Sequence, residues 1–474
     1  MSEIPIKDVT PVNIHEKYDG IAAKHKEGKL YVRSISGFFQ RMRTASLWAL
    51  MIGYFATPWI NLGGHQAVWF DLPTRQFHIW GITFWPQDFI LLSWLMIIAA
   101  FGLFTITTLA GRVWCGYTCP QTAWTLIFMW VEEKVEGSRN QRIKLDKAPL
   151  SANKLTRKTI KHCLWLLISL ATGIAFVGYF YPIRDLVPDL LSMDIESSWA
   201  IFWLGFFTLA TYGNAGWLRE QVCTHMCPYA RFQAVMFDQD TLIVSYDEKR
   251  GERGSGRGTR KKGLDPVQEN IGDCIDCNLC VQVCPVGIDI RDGLQYQCIS
   301  CALCVDACNE IMDKMDYEPG LIRYTNEHAL EGNKVQILRP KLIGYALALI
   351  TMMLVFGYTV LNRVPLELDV MRDRGALYTN TSDGRVQNSY RVKIMNMSQQ
   401  AHDFTITLSG LDKSELAGKT HLRLENGEVG ALPMSIKVSS WELKRSRTDV
   451  TFTVTRGDGL QVHEESRFIG PAGR

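Results

Sequence analysis

Two runs of cysteine dominate the chemistry open to this chain. Cys274-Ile-Asp-Cys277-Asn-Leu-Cys280-Val-Gln-Val-Cys284-Pro285 has the spacing C-x2-C-x2-C-x3-C-P, and Cys298-Ile-Ser-Cys301-Ala-Leu-Cys304-Val-Asp-Ala-Cys308 repeats it. Three thiolates in a tight turn wrap one iron–sulfur cubane, while the fourth opens a helix that reaches the other cubane. The spacing assigns Cys274, Cys277, Cys280 and Cys308 to one [4Fe–4S] cluster, and Cys298, Cys301, Cys304 and Cys284 to a second. Paired C-x2-C units also suit tetrahedral zinc, but zinc does not require four cysteines in this run twice over.

A second set of thiols follows another rule. Cys115-Gly-Tyr-Thr-Cys119-Pro120 and Cys223-Thr-His-Met-Cys227-Pro228 are both C-x3-C-P, and each comes just after a long apolar run. At positions i and i+4 two thiols share one helical face, so four sulfurs could converge where the two elements are neighbours. The proline either caps one helix or starts the next. Thiolates favour Cu(I), zinc or iron–sulfur centres; copper bound here is read as substrate or resident ion, and thiol–disulfide exchange is the other use. His225 and Met226 add two speculative ligands. Cys163, alone inside an apolar run, reads as packing.

These residues must be held by a membrane domain. A bilayer core takes about 20 apolar residues per helix, and five segments meet that need: Thr44–Leu62, Phe89–Ala110, Cys163–Tyr181, Ser197–Leu218 and Leu342–Asn362. Mean hydropathy near zero conceals them. Lys and Arg crowd the loop 111–162, whereas loop 63–88 holds Arg75 alone and loop 182–196 is acidic. The positive-inside rule then puts the N-terminus and both cluster motifs in the cytoplasm and the tail in the periplasm of a multi-pass bacterial inner-membrane protein. Met1–Arg43 is charged before its first apolar run and does not read as a cleavable signal peptide.

The resulting map is a multi-domain membrane protein. It has a cytoplasmic segment 1–43, four spans within 44–218, and a cytoplasmic insert 219–341 with a ferredoxin-like domain at about 265–325. A fifth span, 342–362, precedes a periplasmic tail, 363–474. The tail alternates in strand fashion with turn signals between runs, which suggests an immunoglobulin-like β-sandwich. The Gly/Arg-rich stretch Arg250–Gly263 reads as a flexible linker beside anionic lipid. Of 13 cysteines, eight lie between 274 and 308 and none follows, which argues for metal ligation in a reducing compartment over a disulfide framework. A net charge of +3 gives no reason to expect nucleic acid. There is no C-x-x-C-H haem site, no dinucleotide fingerprint and no P-loop; only His162 and His225 lie near span ends, with no intramembrane histidine pair for a haem, so electrons are expected to stay on the cytoplasmic face.

The insert resembles the bacterial two-cluster ferredoxin, with Asn309 where a proline usually follows the last cysteine and a short stretch from Cys284 to Cys298. The whole chain resembles the CcoG/FixG/RdxA family of cytochrome oxidase accessory proteins, membrane polyferredoxins. Phe70-Asp-Leu-Pro73, Phe77-His-Ile79, Thr83-Phe-Trp-Pro-Gln-Asp88, both C-x3-C-P elements, Gly272–Cys277 and Gly320-Leu-Ile-Arg-Tyr324 carry that resemblance. It implies reduction of Cu(II) to Cu(I) for a cbb(3)-type oxidase, an oxidoreductase working with copper delivery or oxidase assembly proteins and an unidentified electron donor. An electron-transfer subunit feeding a separate redox partner and an assembly scaffold are the alternatives, and dimerisation stays open.

Overall fold

The computed structural model describes residues 29–62, 64–192, 198–259, 262, 264–373, 375–398, 400–443 and 445–471. Most of the N-terminal segment 1–43 therefore lies outside the described residues, as do the first residue of the expected fourth span and three residues of the Gly/Arg-rich stretch. The chain forms two compact units, 1–354 and 355–474.

The first unit is built on helices α1 (Phe38–Ala56), α2 (Phe89–Ala110), α3 (Pro120–Glu136), α4 (Ala152–Val177), α5 (Ser198–Thr211), α6 (Leu303–Met315) and α7 (Pro340–Leu361). Helices α2, α4 and α7 are long and apolar enough to cross a bilayer. They correspond to three of the five expected spans. The other two differ for local reasons. Helix α1 begins six residues before the expected span and carries Arg41 and Arg43. Helix α5 has 14 residues before the backbone widens into π-helical turns at Tyr212–Leu218. The third helix also starts earlier than expected, at Ala152, and ends at Val177. Cys163 is exposed on its surface, so it does not pack inside the chain.

Between α1 and α2 a three-stranded cap forms from β1 (Val68–Asp71), β2 (Gln76–Ile79) and β3 (Ile82–Phe84). The cluster module follows α5. Its framing strands β4 (Ile243–Tyr246) and β5 (Ile322–Thr325) pair antiparallel, and Val244, Tyr246 and Ile322 pack with Cys274 and Cys280 in one core. The described residues 250–259 of the Gly/Arg-rich stretch are a folded part of this module and not a free linker. Arg250 pairs with Asp273 at 2.5 Å, and Gly254 bridges to Ile271. A side chain at Gly272 would meet the carbonyl oxygen of Gly251 at 2.1 Å, so only glycine permits this approach.

The second unit is a sandwich of two antiparallel sheets. One orders β9 (Glu415–Ala417), β11 (Val429–Ser439), β7 (Arg385–Asn396) and β6 (Leu366–Arg372), with Thr379–Asn380 added to β7. The other orders β10 (His421–Leu424), β8 (His402–Ser409), β12 (Arg447–Arg456) and β13 (Gln461–Ile469). Strict alternation along β7 sends Val386, Tyr390, Val392 and Ile394 inward, against Phe404, Ile406, Phe452 and Phe468 of the facing sheet.

Candidate functional site

The eight cysteines of the double motif surround two cavities of near-equal free space. Cys274, Cys277, Cys280 and Cys308 line one of about 370 Å³. Cys284, Cys298, Cys301 and Cys304 line the other, of about 360 Å³, whose wall Cys280 also touches. The remaining walls are mostly apolar, from Tyr246, Ile311 and Leu321 at the first to Val286, Ile288 and Leu303 at the second, with Asn278 and Arg291 also on the first.

The two loops repeat each other in backbone as well as sequence. Asp276 and Asn278 have φ of 51° and 56°, and Ser300 and Ala302 have 51° and 58°. Alternating left-handed residues curl the chain so that three successive thiols face one centre. For Ala302 that conformation costs about 1 kcal/mol, which is sustained because the residue is fully packed beside the ligands. At the first loop, Arg291 donates to Asp276 and Asn278 side-chain oxygens at 2.6 Å each and pairs with Asp289 at 2.7 Å. Where the ferredoxin pattern has proline, the Asn309 side chain accepts the Gly320 N–H at 2.9 Å and fixes the turn into β5.

Burial pushes the thiols of Cys280, Cys284 and Cys308 up to about 12 and that of Cys298 up to about 11. Thiolates here need a cationic centre to offset the lost hydration, and binding iron releases their protons. Among the described residues no three His, Cys, Asp or Glu side chains gather closely enough to hold one metal ion. Four thiols spaced around a cavity suit a multi-iron cluster and not a single zinc, whose ligands close to about 2.3 Å from one point.

The C-x3-C-P elements differ from the expected geometry. Cys115 sits in a one-turn helix, Val113–Tyr117, while Cys119 is extended (φ −65°, ψ 129°) and Pro120 starts α3. Cys223 lies in the π-helical turn Val222–Met226, and Cys227 is extended ahead of the helix Pro228–Met236. The paired thiols therefore do not share one helical face, because the proline breaks each helix in two. The four are neighbours nonetheless. Burial raises the Cys223 thiol to about 12, and Cys119, Cys115 and Cys227 are close enough to add to the rise, although no three of the four gather closely enough to hold one ion without moving. Burial likewise raises Cys115, against the pull of Arg112 beside it. His225 and Met226 are exposed.

The thiol site abuts the second cluster cavity. Cys115 packs with Ile299, Cys301 and Leu303. A side chain on Gly116 would lie 2.7 Å from the Ile299 carbonyl oxygen and 3.0 Å from Cys301 Cα. Helix α1 holds the same loop from the other side, with Arg43 donating to the Gly116 carbonyl at 3.0 Å and Ser46 to that of Tyr117 at 3.0 Å. Asp306, between two cluster cysteines, accepts the α1 N–H groups of Phe39 and Gln40 at 3.2 and 2.8 Å, meeting donors that no partner within the helix can satisfy.

Sequence reasoning missed the polar support of these thiols. Gln233 accepts from Arg112 at 2.9 Å and from the Cys115 thiol at 3.4 Å. It also missed the buried carboxylate Glu132, which pairs with Arg219 at 3.0 Å, Arg142 at 3.2 Å and Lys161 at 3.5 Å. That cluster joins α3, which starts at Cys119-Pro120, to the segment leading into Cys223. Three acids, Glu132, Glu133 and Glu136, at the end of a helix that is mostly apolar up to Val131 were the available signal.

Comparison with known proteins agrees with the double cluster motif and the sandwich, and extends iron–sulfur similarity to the segment that holds Cys115 and Cys119. A family model described as a 4Fe-4S dicluster domain matches residues 218–327, and one described as a 4Fe-4S binding domain matches 92–135. A third, the Ig-like fold at the C-terminal of FixG, matches 356–471. The chain is 39% identical over 425 residues to the nitrogen fixation protein FixG of Rhizobium meliloti, covering 81% of this chain and 80% of that one. It is 40% identical over 399 residues to protein RdxB of Cereibacter sphaeroides, covering 81% and 82%. A solved structure of a FixG-related protein from Vibrio parahaemolyticus is 32% identical over 23% of this chain and 99% of that one, with a TM-score of 0.22.

Proposed function

The chain belongs to the family of FixG and Rdx proteins, and from that premise we propose that this membrane-bound iron–sulfur protein reduces Cu(II) to Cu(I) at its C-x3-C-P thiols. The product serves assembly of a cbb(3)-type cytochrome c oxidase. The observation that carries the reading is the packing of Cys115 and Gly116 directly on the Ile299–Cys301 loop.

Cys274, Cys277, Cys280 and Cys308 hold one cluster, and Cys284, Cys298, Cys301 and Cys304 hold the other. When bound, these clusters supply electrons one at a time, at potentials set by hydrogen bonding and exposure. The chain's own residues do the rest. Cys115, Cys119, Cys223 and Cys227 offer soft ligands that favour Cu(I) over Cu(II). Arg112 supplies positive charge beside them, and Gln233 orients the Cys115 thiol. Copper enters as substrate and gains one electron; the thiols are not oxidised. Five spans, with the clusters and thiols in the cytoplasm and the sandwich in the periplasm, complete the reading. The basic loop 111–162 against loops 63–88 and 182–196 supports that orientation.

Replacing Cys115, Cys119, Cys223 and Cys227 by Ser tests the assignment. Copper turnover should vanish while about eight irons per chain remain, the number two cubanes hold. Loss of iron along with turnover would make these thiols supports of the clusters instead.

A further inference from the structure

A cavity of about 230 Å³ beside α1 and α3, partly open to its surroundings, adjoins the site described so far but contains none of its thiols. Its walls are mostly apolar, and Trp48 and Trp130, at 58% and 56% exposure, stand on it where the helices face outward. Two lining residues carry buried polar atoms without a hydrogen-bond partner: the Gln40 side-chain oxygen and the Arg142 Nε. Buried groups of this kind call for an explanation, and an absent ligand is one. One is an acceptor and the other a donor. Leu303 lines this cavity and also the cavity of Cys284, Cys298, Cys301 and Cys304, so a single side chain forms a wall of both.

We propose that this cavity binds an isoprenoid quinol, which is the electron donor to the iron–sulfur centres. An apolar tail reaches the cavity from the bilayer past Trp48 and Trp130. A quinol hydroxyl donates to the Gln40 oxygen, and the opposite ring oxygen accepts from Arg142 Nε. A quinol presents a hydroxyl donor and a ring-oxygen acceptor on one flat apolar ring without burying a net charge, which is why it is preferred to a phosphodiester lipid. On oxidation the quinol becomes the quinone, losing two electrons and two protons. One electron goes to each of two one-electron acceptors, and the protons leave through the Glu133 carboxylate on the cavity wall, which Ser34 meets with a hydrogen bond of 2.5 Å.

The inference rests on the proposed function only in taking the iron–sulfur centres as the electrons' destination. Its test is the intrinsic tryptophan fluorescence of the full-length protein in detergent, titrated anaerobically with decylubiquinol and with menaquinol-4. Saturable quenching is expected, weakened at least tenfold by Gln40→Leu and by Ala123→Leu, with iron content unchanged in both. Quenching that fails to saturate, that neither variant alters, or that phosphatidylglycerol at equal concentration abolishes, overturns the proposal. In a second arm, free of copper, duroquinol should reduce the clusters of the unaltered protein but not of Gln40→Leu, while dithionite reduces both. Cluster reduction in this arm survives a failure of the copper reading, and copper reduction driven by dithionite survives a failure of the cavity.

Discussion

Tyr117 donates its hydroxyl to the backbone carbonyl of Cys301 across 3.3 Å. One residue lies between the two C-x3-C-P thiols of its loop, and the other lines the second cluster cavity. Tyr324, on β5, reaches the same place: its hydroxyl stands 3.4 Å from that of Tyr117 and donates to the Ser300 carbonyl. Burial raises both tyrosines above the ordinary phenol value, so they act as neutral clamps. Membrane-face thiols and cluster loop are thereby one packed body.

Gly116 is where that body is tightest. Gly116→Val places a side chain within 2.7 Å of the Ile299 carbonyl oxygen, and overpacking of this kind costs about 1–3 kcal/mol. Iron content should hold near its original value while Cu(I) formation slows at least tenfold. Iron analysis beside a Cu(I) chelator assay checks the pair; equal loss of both would mean that the loop supports the cluster.

Arg291 puts a fixed positive charge on the wall of the first cavity, hydrogen-bonded to Asp276 and Asn278. Positive charge favours the reduced cluster. Arg291→Gln should lower the potential of that cluster alone, by on the order of 100 mV for a charge several ångströms away in a medium of effective dielectric about 20. Redox titration followed by electron paramagnetic resonance resolves the two clusters, and a shift upward would contradict the assignment.

Glu132 is buried, and burial alone would raise its carboxyl. Arg219, Lys29 and Lys161 overcome this and hold it down at about 2. A depressed carboxyl contributes stability that is fully present above its ordinary value, here 4.5, and is lost as pH falls toward 2. Glu132→Gln leaves Arg219 and Arg142 without their common partner and should destabilise the first unit by about 3–5 kcal/mol. Thermal melts at pH 7 and pH 4 check both statements: the variant should melt lower than the original at pH 7, and the gap should narrow in acid.

The cysteine spacing was enough to expect two sets of four, and the same sets stand around the two cavities. The alternation Phe404-Thr-Ile-Thr-Leu408 was enough to expect a strand with one buried face. Other features were not readable, because they depend on partners distant in the chain. The helical-face expectation for Cys115 and Cys119 failed because Pro120 opens a new helix, so local spacing did not fix the thiol geometry. The Arg250 stretch looked like a linker because its composition is polar, but its order comes from Asp273 and the Pro319 carbonyl. Likewise, Asp306 reads as an ordinary helix acid, and only the fold reveals that it caps α1.

Anaerobic titration of the fully reduced protein with Cu(II) tests the central claim most directly. Cluster absorbance and the Cu(II) resonance should change together, with about two Cu(I) formed per chain, one for each cubane's electron. Clusters that stay reduced while the Cu(II) signal persists would contradict it.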